Sequence, residues 1–146
     1  MSEPVASEDG SAFNAEHTPF EAIGGETGVR ALVDAFYDRM DTEVVARTIR
    51  AMHPPDLTAS RDKLFWFLCG WLGGPQHFVE RFGHPRLRMR HAPFAIDQPA
   101  RDAWMVCMQG AMDACGVEGA LRTFLNTRFD DLATFMINRP SSASAD

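Results

Sequence analysis

One stretch restricts the fold more than any other. Between Asp97-Gln98-Pro99 and Gly116, the residues Trp104, Cys107, Met108, Ala111 and Cys115 recur at i, i+3, i+4, i+7 and i+11. That spacing lays a single apolar stripe along a helix, whereas a strand would alternate its side chains with a period of two. Asp97 and Pro99 provide an N-terminal signal, and Gly116 with Gly119 a stop. The spacing predicts a buried helix over residues 98–115. An indole N–H on this stripe, that of Trp104, needs an acceptor.

The rest of the chain repeats the theme. Phe20, Ala22 and Ile23 predict a short helix, broken at Gly24-Gly25. From Glu26 or Thr27 onward, Val29, Leu32, Val33, Phe36, Tyr37 and Met40 follow helical spacing. Tyr37 is the single tyrosine, and it lies one turn after Val33, so its ring faces inward. Its hydroxyl either bonds a backbone carbonyl or points into a pocket. Residues 43–51 predict another short helix carrying Val44, Val45, Thr48 and Ile49, closed by the corner His53-Pro54-Pro55-Asp56. Thr58 reads as the N-cap of a helix over 59–72. Ser60, Leu64, Phe67 and Trp71 share one face of it, flanked by Lys63 and Leu68. After Gly73-Gly74-Pro75, residues 76–82 allow one or two turns. A last helix over 118–138 presents Leu121, Leu125, Phe129, Leu132, Phe135 and Met136. No alternating segment is long enough for a strand, so the chain is expected to be all-α.

Length and charge bound the remainder. The 146 residues suit one domain, and 45% hydrophobic with 23% charged residues is the composition of a soluble globular protein. Residues 1–18 hold four acids (Glu3, Glu8, Asp9, Glu16) and neither Lys nor Arg, and are expected to form a disordered acidic tail. The ordered domain is expected over 19–138 and a flexible C-terminal tail over 139–146. A net charge of −6 disfavours nucleic acid as a partner. No apolar run is long enough to span a bilayer, so a cytoplasmic protein without a membrane role is expected. Cys69, Cys107 and Cys115 form no CxxC pair and read as reduced core residues.

The most suggestive run is Gly83-His84-Pro85-Arg86-Leu87-Arg88-Met89-Arg90-His91-Ala92-Pro93-Phe94. Pro85 suits a first helical turn, and Pro93 disfavours helix at Ala92. Leu87 and His91 then share one face, with Arg86 and Arg90 on another. Taken alone, His91 is either an ordinary packed histidine or a ligand.

The chain from Phe20 to Pro140 resembles a truncated haemoglobin of the second group. The resemblance rests on features in order: Gly24-Gly25, Phe36-Tyr37, His53-Pro54-Pro55-Asp56-Leu57, Phe67-Leu68 with Trp71-Leu72-Gly73-Gly74-Pro75, the run from Gly83 to Phe94, and Arg101-Asp102-Ala103-Trp104. It implies a globin-like two-over-two helical sandwich around haem b (iron protoporphyrin IX). By this likeness His91 is the proximal iron ligand, an axial role imidazole commonly fills. Lys63 and Arg90 are implied partners of the haem propionates. Leu64, Phe67, Leu68, Leu87, Phe94 and Met108 are implied wall residues. Tyr37, His53, Ser60 and Trp104 fall on the distal side. Tyr37 and Trp104 would donate to a bound ligand, His53 would join Tyr37 in a hydrogen-bond network, and the small Ser60 stands where ordinary globins carry a distal histidine.

Three functions are weighed on this basis. The first is a haem protein binding O2, CO and NO for scavenging, sensing or redox detoxification. The second is a haem-dependent peroxidase or nitric oxide dioxygenase. The third is a helical interaction module without cofactor, which would leave Tyr37, Trp104, Lys63 and the arginine-flanked His91 unexplained. Diatomic gases are the expected partners of a monomer or homodimer, with a reductase left open.

Overall fold

A computed structural model describes residues 13–140 of the chain. Its helices are α1 (Pro19–Ile23), α2 (Gly25–Thr42), α3 (Arg47–Ala51, preceded by a 3-10 turn at Val44–Ala46), α4 (Thr58–Trp71), α5 (His77–Phe82), α6 (Leu87–His91), α7 (Gln98–Ala114) and α8 (Gly119–Phe135). No strand occurs among the described residues. The long helix α2 packs on both α4 and α7, and α8 packs on α7. The pairs α2/α4 and α7/α8 thus stack through α2 and α7, the two-over-two arrangement expected from the sequence. No helix among the described residues is long and apolar enough to cross a membrane.

Local chemistry sets the boundaries. Thr18 Oγ1 accepts from Glu21 N at 3.0 Å and Pro19 opens α1. Gly24, at φ 108°, ends α1 in the left-handed region that side chains disfavour. One turn on, a Cβ at Gly28 would lie 1.9 Å from the Ile23 carbonyl oxygen, so the crossing of α1 and α2 tolerates only hydrogen there. Asp97 Oδ1 caps α7 by accepting from Ala100 N at 3.0 Å.

The inward stripes meet in one core. Leu32, Phe36, Leu68, Met108 and Phe129 are all fully or almost fully buried, each contributing roughly 1.5–3 kcal/mol over an exposed position. Burial pushes the Cys69 and Cys107 thiols up to about 11, so both stay protonated.

Several expectations need correction. Phe13 packs on Phe124 and on His17, and Asn14 Oδ1 accepts from Glu16 N and His17 N. Residues 13–18, placed above in the tail, thus make contacts of their own. Residues 1–12 and 141–146 of the two expected tails lie outside the described residues. Cys115 is exposed rather than in the core, because α7 ends at Ala114. The last helix stops at Phe135, whose ring is 57% exposed where the sequence reading had it inward. Val44 and Val45 also face out, and only Ile49 and Ala46 of that segment are buried. Thr58 is the first helical residue and not the cap. Leu57 holds the cap position without a side-chain bond, and Asp56 Oδ1, one residue before it, accepts from Thr58 N at 2.9 Å and Thr58 Oγ1 at 2.7 Å.

Candidate functional site

His91 sits at the end of the five-residue helix α6. Pro85 lies outside this helix, contrary to the expectation that it would open it. The chain turns instead through Arg86 at φ 46°, a conformation costing a non-glycine residue roughly 1 kcal/mol, with Arg86 N donating to His84 Nδ1 at 3.2 Å. Arg86 is thereby the cap and not a face-mate of Arg90. His91 Nδ1 lies 2.8 Å from the Leu87 carbonyl oxygen. A carbonyl only accepts, so Nδ1 carries the proton and the neutral ring keeps its lone pair on Nε2. The ring is half-buried and packs near Phe94, centroids 6.3 Å apart.

A clasp from the end of the chain holds this segment. Asn138 Nδ2 donates to the carbonyls of His91 (3.2 Å) and Phe94 (3.0 Å), and Ile96 N donates to Asn138 Oδ1 at 2.9 Å. The backbone amides of Asn138 and Arg139 both donate to Ile96 O. In the other direction, Arg88 donates from α6 to the carbonyls of Phe135 and, at 3.1 Å, Ile137. These are carbonyls that the end of α8 leaves unpaired. Sequence reasoning missed both residues. The only signal was an Asn just past a helix end, which many chains carry without such a role.

Tyr37, Trp104 and His53 come together on α2, α7 and the corner after α3. Phe36 links them: its ring centroid is 5.0 Å from Tyr37 and 5.2 Å from Trp104. Tyr37 meets His53 edge-on at 5.7 Å, and Trp104 also packs on Phe129 at 5.8 Å. The expected hydrogen bond between His53 and Tyr37 is not formed. His53 Nδ1 donates instead to Ile49 O at 2.8 Å, one helical turn back. Burial, with the Arg50 charge nearby, outweighs that bond and lowers the His53 pKa, favouring the neutral ring.

Neither Tyr37 Oη nor Trp104 Nε1 has a protein hydrogen-bond partner among the described residues, yet no buried side-chain polar atom there is left unpaired. Neither donor atom is therefore fully sealed within the described residues. Burial pushes the Tyr37 hydroxyl up to about 12, with the Arg61 charge opposing, so it is a donor at any ordinary pH. Arg61 was also missed by sequence reasoning. It ties α4 to α2 through Asp34 and Asp38, at 3.1 and 3.0 Å, with its guanidinium 5.7 Å from the Tyr37 ring centroid.

Leu64, Phe67 and Leu87 are partly exposed, Phe94 is 38% exposed, and Ser60 is partly exposed on the same helix as Leu64. Leu68 and Met108 differ. At 1% and 0% exposure they are buried more deeply than the other implied wall residues. Lys63 is exposed, its Nζ 5.9 Å from the Phe82 ring centroid. Arg90 donates from Nε to Pro85 O at 2.5 Å and from Nη2 to Phe82 O at 3.3 Å, keeping Nη1 available. One imidazole with a directed lone pair, apolar flanks, two cations and two donors unpartnered among the described residues fit a flat, apolar, dianionic iron macrocycle.

Comparisons with known proteins agree. The bacterial-like globin family model matches residues 18–138. A group 2 truncated haemoglobin of Bacillus subtilis is 44% identical over 89% of this chain and 93% of its own length. Among solved structures, a cold-adapted truncated haemoglobin from Pseudoalteromonas haloplanktis superposes with a TM-score of 0.81 at 48% identity, covering 84% of this chain and 98% of that one. A group II truncated haemoglobin from Bacillus anthracis gives a TM-score of 0.81 at 43% identity, covering 85% and 98%.

Proposed function

Since the chain belongs to the bacterial-like globins and, among them, to the group II truncated haemoglobins, a haem protein that binds oxygen-type ligands, we propose that it holds haem b through His91 and retains O2, CO and NO in a donor-lined distal pocket for scavenging, sensing or redox detoxification. The observation that carries this reading is the 2.8 Å bond from His91 Nδ1 to Leu87 O, which fixes the tautomer and aims the Nε2 lone pair away from α6. Haem, when bound, supplies the iron centre at which a diatomic ligand is taken up. The chain's own residues do the rest. Tyr37 O–H and Trp104 N–H donate to the partial negative charge of dioxygen. Ser60 leaves the entrance on α4 unobstructed. Lys63 Nζ and Arg90 Nη1 pair with the propionates at the rim. Leu64, Phe67, Leu87 and Phe94 cover the apolar faces and exclude water.

Two donors that lose their partner when dioxygen leaves slow its departure. This suits retention better than bulk delivery. A Bacillus subtilis relative, 43% identical with a TM-score of 0.77, is described as oxygen-avid, in keeping with the reading. Haem titration followed by stopped-flow kinetics for O2, CO and NO on the ferrous protein tests it. A Soret band with slow O2 release is expected, and release as fast as from a pocket without donors refutes the retention role.

A peroxidase or nitric oxide dioxygenase reading has one observation in its favour. His53, with Nδ1 committed to Ile49 O, leaves Nε2 free to take a proton, and it also lines an open cavity of about 340 Å³ with Met40, Arg47 and Arg50, a route to solvent protons. Turnover well above that of free haem, lost in His53→Ala, would favour this reading over simple binding.

A further inference from the structure

Residues 63–96 invert the charge of the chain. They hold five cations (Lys63, Arg81, Arg86, Arg88, Arg90) and one acid, Glu80, leaving −10 for the remainder of a chain whose net charge is −6. None of the five pairs with a carboxylate among the described residues, whereas Arg30, Arg39, Arg50, Arg61, Arg101 and Arg122 all do. Arg88 is occupied in the clasp on α8. Lys63, Arg81 and Arg90 cluster around one aromatic patch, and Arg86 stands exposed in the turn that follows it. Phe82 lies 4.8 Å from Phe78 and 6.0 Å from Trp66, centroid to centroid. Lys63 Nζ sits 5.9 Å from the Phe82 ring, Arg81 Cζ 4.3 Å from Trp66 and Arg90 Cζ 5.3 Å from Phe78. Arg90 also bonds the carbonyl of Pro85, beside Arg86. At the centre Phe82 and Val79 are 40% and 42% exposed. An apolar centre with a cationic rim is the anatomy of a small, transient, electrostatically steered interface.

We propose that Lys63, Arg81, Arg86 and Arg90, around Phe82 and Val79, form a docking surface for an acidic one-electron carrier protein. The proposal rests on the haem reading, because iron that has been oxidised must be made ferrous again before it takes dioxygen, and because this surface includes the chain that leads into the His91 helix. Complementary charge points to the acidic face of another protein. The patch spans only the short helices α5 and α6 and the margin of α4, and the strong negative charge elsewhere repels the long phosphate backbone of a nucleic acid. Lys63 and Arg90 share their charge with the propionates. Arg81 and Arg86 do not, which makes them the discriminating residues.

The test is an NMR titration of the 15N-labelled, haem-loaded ferrous CO protein with oxidised bacterial flavodoxin as the acidic carrier. Shifts are expected to cluster on residues 79–90. Affinity is expected to fall roughly tenfold both on raising salt from about 20 to about 300 mM and in Arg81→Glu/Arg86→Glu. That double variant is expected to keep its Soret band and CO association rate. Shifts elsewhere, shifts indifferent to charge reversal, or equally strong binding of a short DNA duplex or of anionic lipid vesicles overturn the docking surface alone. A wild-type chain that yields no Soret band on haem titration overturns the haem reading and the docking proposal with it.

Discussion

The two sides of the proposed haem pocket are built by different means. The distal residues Tyr37 and Trp104 stand on helices of 18 and 17 residues, wedged against Phe36 and Phe129 in the sealed core. Their positions follow from packing, and a close-packed interior resists displacement. His91, the proposed proximal ligand, stands on a helix of five residues with no buried member. Its place is kept by hydrogen bonds, from its own Leu87 carbonyl and from the Asn138 and Arg88 clasp. The contrast separates a wall that inherits its geometry from the core and a ligand arm fastened by a few polar contacts.

The sharpest break of this contrast removes the arm's single functional group. His91→Ala is expected to abolish the five-coordinate ferrous spectrum, with recovery on adding imidazole. Full retention without imidazole would refute the ligand assignment. Next comes the distal wall, where Tyr37→Phe removes a donor and keeps the packing. A lost buried hydrogen bond costs about 1–3 kcal/mol, so the dioxygen off-rate should rise roughly 5- to 100-fold in stopped flow with little change in thermal stability. An unchanged off-rate would leave Trp104 as the main donor.

A smaller effect is expected at the clasp. Asn138→Ala should cost about 1–2 kcal/mol in chemical denaturation and should shift or broaden the iron–histidine stretch in resonance Raman while sparing dioxygen release. The opposite pattern, an altered off-rate with an unmoved stretch, would show that the two sides are not independently held. The smallest effect concerns pH. An unfolded phenol ionises near 10.0 and that of Tyr37 near 12. Between these values the unfolded chain binds fewer protons, so stability falls as pH rises from 10 to 12 and is independent of this group below 10. The 13Cζ resonance of the single tyrosine in the ferrous CO protein reads this directly, and titration near 10 in the folded state would contradict the buried, unshared hydroxyl.

The same division governs what could be read before folding. The α2 and α7 stripes were legible because a core helix advertises its inward face every three to four residues. Tyr37 and Trp104 came with them. His91 was only suggestive by spacing and became a ligand candidate through resemblance, since a five-residue helix has too few positions to show a period. Met108, fully buried, illustrates a related point. Periodicity says that a side chain faces inward, not whether it meets protein or cofactor. Cys115 and Phe135 failed at helix ends, where one residue of fraying turns an inward position outward.

Sequence by itself determined an all-α chain, the lone inward tyrosine, the indole on the α7 stripe, the histidine fenced by prolines and the cationic run beside it. Each is a local property, set by side-chain type and spacing. Tertiary structure alone decided that His53 turns its Nδ1 to Ile49 rather than to Tyr37, that Arg61 straps α4 to α2, that Asn138 reaches back 47 residues to hold His91, and that three cations without a carboxylate partner among the described residues gather around Phe82, Trp66 and Phe78. Those outcomes depend on where distant helices bring free carbonyls, carboxylates and rings, and no local pattern encodes that.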